Sequence, residues 1–167
     1  ALEAAVPDLK GRVDETRIGA AGHYIGSLAA GLLVGMRGFP RPGGQPGEYG
    51  DERVKAALMM SPVGRGQGLT EATWAQMHRP VLFVTGSRDP SRRTGNPPEW
   101  RTEPFRFCPP GSKYLLWIES LDGRYGGLTR PEAGRATAKA GDPAVRTILL
   151  DWTQWFWDAY LRGDEAA

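Results

Sequence analysis

Four short apolar runs, separated by turn-rich segments, constrain the fold of this chain more than any other feature. Each run is bounded by glycine, proline or polar turn residues, and the four are Arg17–Ala21, Val54–Met60, Val81–Thr85 and Lys113–Ile118. Short runs that are apolar nearly throughout are typical of strands covered on both faces of a parallel sheet. Helices are predicted between and after the runs, at Ile25–Met36, Glu71–Met77 and Ala144–Leu161. This alternation predicts an α/β fold with a mostly parallel sheet and flanking helices.

The last predicted helix carries an apolar stripe at helical spacing. The stripe comprises Val145, Ile148, Leu149, Trp152, Trp155, Phe156 and Ala159. We expect it to lie against the sheet, which leaves Trp157 as the one aromatic candidate for the surface. Asp142 and Pro143 predict the start of this helix, because aspartate is a good N-cap and proline is favoured at the first helical position.

Composition excludes several classes of protein. A chain of 167 residues is expected to form a single domain, and 40% hydrophobic with 24% charged residues is far from the signature of disorder. The net charge of +2 comes without a long run of like charges, so no nucleic-acid partner is expected. No apolar stretch approaches the roughly 20 residues needed to span a bilayer. The single cysteine, Cys108, excludes an internal disulfide and does not identify a cellular compartment. The first residues do not resemble an uncleaved signal peptide.

The most informative segment is a strand that runs directly into a glycine-flanked turn and a helix of small residues. Its centre reads Gly22-His23-Tyr24-Ile25-Gly26. This is the layout of a nucleophile elbow, in which the central residue is held above the edge of the sheet. A serine is expected at the centre, but the residue is Tyr24. The alternative interpretation is a tight strand-to-helix turn without chemistry.

Three further segments occur in the order and at the spacing that the elbow interpretation predicts. Val13–Ile18 leads into the elbow strand, Asp51–Pro62 contains the strand after the elbow helix, and Arg79–Asp89 contains a strand followed by an acidic loop. Together they resemble the C-terminal part of an α/β-hydrolase, of the dienelactone-hydrolase and polyester-hydrolase-like kind. The resemblance implies a partial α/β-hydrolase fold that lacks the N-terminal strands, so that residues 1–167 form one truncated domain. The implied activity is carboxylic-ester hydrolysis by Ser-His-Asp acyl transfer.

The resemblance also assigns site residues. Asp89 matches the acid of the triad, although it could equally cap a turn in its own loop. Gly123 stands where the histidine is expected, and the backbone N–H of Ile25 matches one donor of the oxyanion hole. Neither histidine of the chain replaces the missing base: in this family the side chain at His23 points away from the substrate, and His78 precedes a strand and should lie at the opposite edge of the sheet.

Two residue groups outside the triad have competing interpretations. Ser27 could be a displaced nucleophile, but a buried serine that packs its helix is the more common case. The glycine- and proline-rich segment Gly38–Gly50 could form a lid over a site or a solvated loop.

Three hypotheses for function follow. In the first, the chain is an esterase- or lipase-like hydrolase whose catalysis is impaired because the nucleophile and base positions are substituted. In the second, it is a pseudoenzyme that binds a ligand or a protein. In the third, it is an altered, shortened form of an active serine esterase. The expected small-molecule partner is an ester or an ester analogue. A partner chain is expected along the otherwise open edge at Arg17–Ala21. No organic cofactor is implied, and no metal, because the histidines and carboxylates show no ligand spacing.

Overall fold

A four-stranded parallel sheet forms the centre of the molecule. The computed structural model describes residues 5–40, 46–128 and 142–163. The strands are β1 (Ile18–His23), β4 (Val54–Met60), β5 (Val81–Arg88) and β6 (Lys113–Asp122), with β2 (Arg37–Pro40) and β3 (Pro46–Glu48) forming a separate antiparallel pair. The sheet order is β1-β4-β5-β6, and each neighbouring pair is parallel. The predicted α/β class and the predicted parallel sheet are therefore confirmed.

Three α-helices accompany the sheet in the described residues: α1 (Ile25–Leu33), α2 (Glu103–Phe107) and α3 (Pro143–Trp157). The prediction that the first helix continues to Met36 is wrong, because the chain turns at Gly35, where φ is +108°. The predicted helix Glu71–Met77 is also wrong: only a single 3₁₀ turn forms, at Glu71–Thr73. The start of α3 is confirmed, since the carboxylate of Asp142 accepts a hydrogen bond from the backbone N–H of Ala144 at 2.9 Å.

The core lies on both faces of the sheet, because successive residues of each strand point to opposite sides. On the face covered by α1, the buried residues include Ala57, Met59 and Phe83. On the face covered by α3, they include Leu58, Leu82 and Val84. This two-sided burial explains why the strands are apolar nearly throughout.

The predicted packing of α3 is partly wrong. Val145, Leu149 and Phe156 are buried against the sheet as expected, but Ile148, Trp152 and Trp155 are 37%, 44% and 51% exposed. Trp157, predicted as the surface candidate, packs over β1 instead: a Cβ added to Gly19 would lie 2.5 Å from its ring. The helix therefore has a second apolar face, which the described residues leave partly exposed.

The parallel arrangement brings the carboxyl ends of all four strands to one edge of the sheet. Tyr24 follows β1, Ser61 follows β4, and Asp89 follows β5. Gly123 follows β6 at the same edge. Sites in open α/β sheets form at this edge, so these four positions mark where a functional site is expected. None of the described helices is long and apolar enough to cross a membrane.

Candidate functional site

Tyr24 occupies a sharp strand-to-helix turn with a strained backbone. Its φ of +53° and ψ of −111° lie in a region that L-residues rarely adopt. The backbone N–H of Tyr24 donates to the carbonyl of Met60 at 2.9 Å, so the β1–β4 ladder continues up to the turn, and α1 begins at the next residue. No side chain caps the N-terminus of α1, which leaves its first N–H groups without a side-chain acceptor.

Only one of the two glycines that flank the turn is sterically required. A Cβ on Gly22 would lie 1.9 Å from the carbonyl oxygen of Gly26, which no side chain can tolerate. A Cβ on Gly26 would meet nothing within 4 Å. The close approach of strand and helix at Gly22 is therefore what makes the turn possible.

The surroundings of Tyr24 are those of a packed aromatic ring. The guanidinium carbon of Arg101 lies 5.5 Å from the centre of the Tyr24 ring, within the range of a cation–π contact. Ser27 is fully buried, and its hydroxyl donates to the carbonyl of Tyr24 at 2.6 Å. Ser27 thus packs and tethers the first turn of α1, which favours the structural interpretation of this residue.

Asp89 is buried and bonded through both carboxylate oxygens. Oδ2 accepts hydrogen bonds from Ser61 Oγ at 2.7 Å and from Thr85 Oγ1 at 3.1 Å. Oδ1 lies 3.2 Å from Nε of Arg101, which is also buried. Burial raises the pKa of Asp89 above its ordinary value, against the opposing influence of the Arg101 guanidinium.

Gly123 lies directly beside this carboxylate. A Cβ at Gly123 would be 3.2 Å from Oδ1 of Asp89, and no other atom outside its chain neighbours would lie within 4 Å. A side chain at this position would therefore begin next to the Asp89 carboxylate, which would have to move by a few tenths of an ångström to admit it.

His23 belongs to the same cluster, although sequence analysis set it aside. Its Nε2 lies 3.2 Å from Ser61 Oγ, and its ring meets the ring of Tyr125 edge-on at 5.2 Å. Burial lowers the pKa of His23; Arg101 lowers it further, while Asp89 and a hydrogen bond to the Gly123 backbone oppose the decrease. The contacts run from Asp89 through Ser61 to His23, so a serine stands between acid and imidazole. In a Ser-His-Asp triad the imidazole stands in the middle, so this cluster is not a triad.

Three buried residues that sequence analysis missed complete the cluster: Ser61, Arg101 and Tyr125. Arg101 donates to the backbone carbonyls of residues 61, 62, 89 and 90, and the Tyr125 hydroxyl donates to the carbonyl of Val84 at 2.8 Å. Ser61 could have been found from its position after β4. Arg101 and Tyr125 lie in short 3₁₀ segments and carry no such signal.

Other candidate positions lie away from this edge. The carbonyl of His78 accepts from Lys113 Nζ at 3.2 Å, beside the first residue of β6 and hence at the opposite edge. A polar surface depression lined by Gly11–Asp14 and their neighbours precedes β1, again on the far side. Across the part of the chain that the structure describes, no group of three or more His, Cys, Asp or Glu residues could hold a metal ion.

Comparisons with known proteins identify the fold but not a family. No protein-family model matches the chain, and no curated protein matches its sequence. The crystal structure of the 2,6-dihydroxy-pseudo-oxynicotine hydrolase is similar, with a TM-score of 0.53 and 12% sequence identity. The similarity covers 97% of this chain and 46% of that one, so the chain spans less than half the length of this hydrolase. At this identity the likeness concerns the fold alone, and the sheet with its flanking helices is a partial α/β-hydrolase fold.

Proposed function

We propose that this chain carries a carboxylic-ester hydrolase site of the α/β-hydrolase type in which catalysis is lost. In this proposal Tyr24 holds the nucleophile position, Asp89 the acid position and Gly123 the histidine position, and the Ile25 N–H is an oxyanion donor. The ligand class is a small ester or an ester analogue.

The backbone of Tyr24 is the observation that carries the proposal. A non-glycine residue at φ +53° and ψ −111° costs on the order of 1–3 kcal/mol, and such strain persists mainly where a functional geometry requires it. A structural turn could avoid this cost with glycine at position 24. A strained residue at the tip of a strand–turn–helix unit, beside an uncapped helix N-terminus, supports an elbow whose reactive group has been replaced.

The second support is the contact between Asp89 and position 123. Oδ1 of Asp89 faces the place where a side chain at 123 would begin, 3.2 Å away. An imidazole there would have the acid beside it, as a triad requires. Glycine cannot take up or return a proton, a role typically worth about 10²–10⁴-fold in rate.

The phenol of Tyr24 does not replace the missing serine. A phenol needs an adjacent base to become a nucleophile. Its described ring contact is with Arg101, a cation that cannot accept a proton. We therefore expect the unmodified chain to be inactive towards esters.

A second candidate function is ligand or partner binding by a pseudoenzyme. The contacts of Asp89 favour this binding function. Its carboxylate is hydrogen-bonded to Ser61 and Thr85 and ion-paired with Arg101, and this network links the ends of neighbouring strands. A partner chain would then add to the edge of β1, which has no strand on its outer side within the described residues.

Labelling with a fluorophosphonate serine probe tests the assigned positions. The unmodified chain and Tyr24→Ser alone should remain unlabelled, because neither contains a base for the elbow residue. The double variant Tyr24→Ser/Gly123→His should become labelled, since it combines the elbow serine, an imidazole and Asp89. Adding Asp89→Asn should reduce that labelling strongly.

A matched control is Ser27→Ala in the double variant, which should leave labelling intact. Labelling of Tyr24→Ser alone at the level of the double variant would contradict the role of position 123 and would point to His23 as a base. A folded double variant that stays unlabelled would contradict the proposed site.

A further inference from the structure

Two tyrosine rings meet where the helical segment after β6 crosses the start of that strand. The hydroxyl oxygens of Tyr114 and Tyr160 lie 2.5 Å apart and share a hydrogen bond. Their ring centres are 6.1 Å apart, and the ring planes are tilted by 44°. Tyr114 is the second residue of β6, so the two rings lie at the edge of the sheet opposite the candidate site. We call Tyr114 and Tyr160 the tyrosine pair.

A buried phenylalanine and an unusual helical turn position the tyrosine pair. The ring of Phe156, which is only 6% exposed, meets the ring of Tyr114 at 6.3 Å and that of Tyr160 at 5.1 Å. After α3 the chain continues as a π-helical turn at Asp158–Arg162, and Tyr160 lies within it. Such turns are rare and occur frequently at functional sites. Packing and the turn therefore hold the two phenols against each other.

The tyrosine pair is also accessible to a solute. Tyr114 is 44% exposed, and Tyr160 is partly exposed. Tyr125, by contrast, is fully buried, and its hydroxyl donates to the carbonyl of Val84. Exposed side chains reorient on the picosecond-to-nanosecond timescale, so the rings of the pair can adjust their approach. A reagent in solution can therefore reach the pair and act on both rings.

We propose that the tyrosine pair is an oxidative cross-linking site, at which a one-electron oxidant driven by hydrogen peroxide joins the two rings into dityrosine. Each phenol loses one electron and its hydroxyl proton, and the two radicals form a carbon–carbon bond between the ring carbons next to the hydroxyls. The hydrogen on each of those carbons then moves to the adjacent oxygen and restores the phenol. The two electrons and two protons released reduce one hydrogen peroxide to two water molecules.

Proximity makes this pair the favoured site of coupling. Two reacting groups that the fold already holds together combine in an intramolecular step, which is far faster than an encounter between dissolved molecules. The product is a covalent link between β6 and the C-terminal helical segment, across 46 residues of the chain. Because Cys108 is the only cysteine, a disulfide cannot supply an internal link of this kind.

Treatment of the 167-residue chain with a haem peroxidase and hydrogen peroxide tests the proposal. The unmodified chain should acquire dityrosine fluorescence while it remains a monomer on a denaturing gel. Tyr114→Phe and Tyr160→Phe should each reduce this fluorescence by more than about tenfold, because each removes one of the two coupling phenols. Tyr49→Phe is the matched control, since Tyr49 is also 44% exposed, and should change the fluorescence by less than about twofold.

Tryptic peptide mapping of the oxidised chain locates the bond. Cleavage after lysine and arginine should leave residues 114–124 joined to residues 147–162, with the loss of two hydrogen atoms. Circular dichroism checks that each variant is folded. If a phenylalanine variant fails to fold, the peptide map of the unmodified chain decides the question.

A folded, unmodified chain that forms no dityrosine overturns the proposal. So does fluorescence that persists in the folded Tyr114→Phe or Tyr160→Phe variant, or a bond that the map places between other tyrosines or between two chains. The result does not depend on the proposed ester site, because Tyr24, Asp89 and Gly123 are unchanged in every variant.

Discussion

Oδ1 of Asp89 lies 3.2 Å from the position that a Cβ would take at Gly123. The acid and the position after β6 thus meet at the carboxyl edge of the sheet, although 33 residues separate them in the chain. The other carboxylate oxygen of Asp89 is bound by Ser61 and Thr85. The acid is therefore both beside the proposed histidine position and part of a buried network.

The turn at Tyr24 should tolerate alanine at one flanking glycine and not at the other. Gly22→Ala should lower the free energy of unfolding by about 3 kcal/mol or more, because the new methyl would overlap the carbonyl of Gly26. Gly26→Ala should be neutral or stabilising by up to about 1 kcal/mol, since alanine favours the helix and meets open space. Urea unfolding of the two variants measures the difference, and equal stabilities would contradict the described turn.

The buried ion pair should be far more sensitive to substitution than an exposed one. Arg101→Gln should lower the free energy of unfolding by about 3–5 kcal/mol, because it leaves the Asp89 carboxylate buried without its cation. Arg124→Gln, which removes an exposed pair with Asp122, should cost less than about 1 kcal/mol. Chemical denaturation at neutral pH compares them. Similar losses in both variants would show that Arg101 is not buried as described.

The His23 contact predicts a pH dependence of stability with a definite sign. The pKa of His23 is lowered in the folded state from 6.5, so below about pH 6.5 the unfolded chain binds the proton first. The contribution of His23 to the free energy of unfolding should therefore decrease as the pH drops from 6.5 through the lowered pKa. Asp89 acts in the opposite direction, since its raised pKa adds stability as the pH falls.

Substitution of His23 isolates its contribution to the pH dependence from that of Asp89. The stability lost on His23→Gln should decrease as the pH is lowered from 7 through the lowered pKa of His23. Urea unfolding at a series of pH values provides the measurement. A loss on His23→Gln that grows towards low pH would reverse the predicted sign and contradict the burial of His23.

The strands could be predicted from sequence because burial on both faces leaves an unmistakable apolar run, as in Val54–Met60. The packing of α3 could not, because periodicity identifies apolar positions but not how wide a face the sheet covers. Val145, Leu149 and Phe156 meet the sheet, while Ile148 and Trp152 lie just beyond it.

The candidate site likewise contains residues that could be predicted from the sequence and residues that could not. The elbow pattern marks Tyr24 and the resemblance marks Asp89, and both residues follow the carboxyl ends of strands at one edge of the sheet. The contact of His23 with Ser61 depends on strand register, which pairs His23 with Met60 and so brings Ser61 alongside. Arg101 reaches the cluster from a 3₁₀ segment, and nothing local in the sequence marks where its side chain ends.

Hydrolysis of short-chain p-nitrophenyl esters by the unmodified chain tests the central claim most directly. In the proposed function, tyrosine at the elbow and glycine beside Asp89 leave the chain without the nucleophile and the base of acyl transfer. We expect no release of p-nitrophenol above a buffer blank, with the folded state verified by circular dichroism in the same sample. Turnover well above the blank, abolished by heating the protein, would contradict the account.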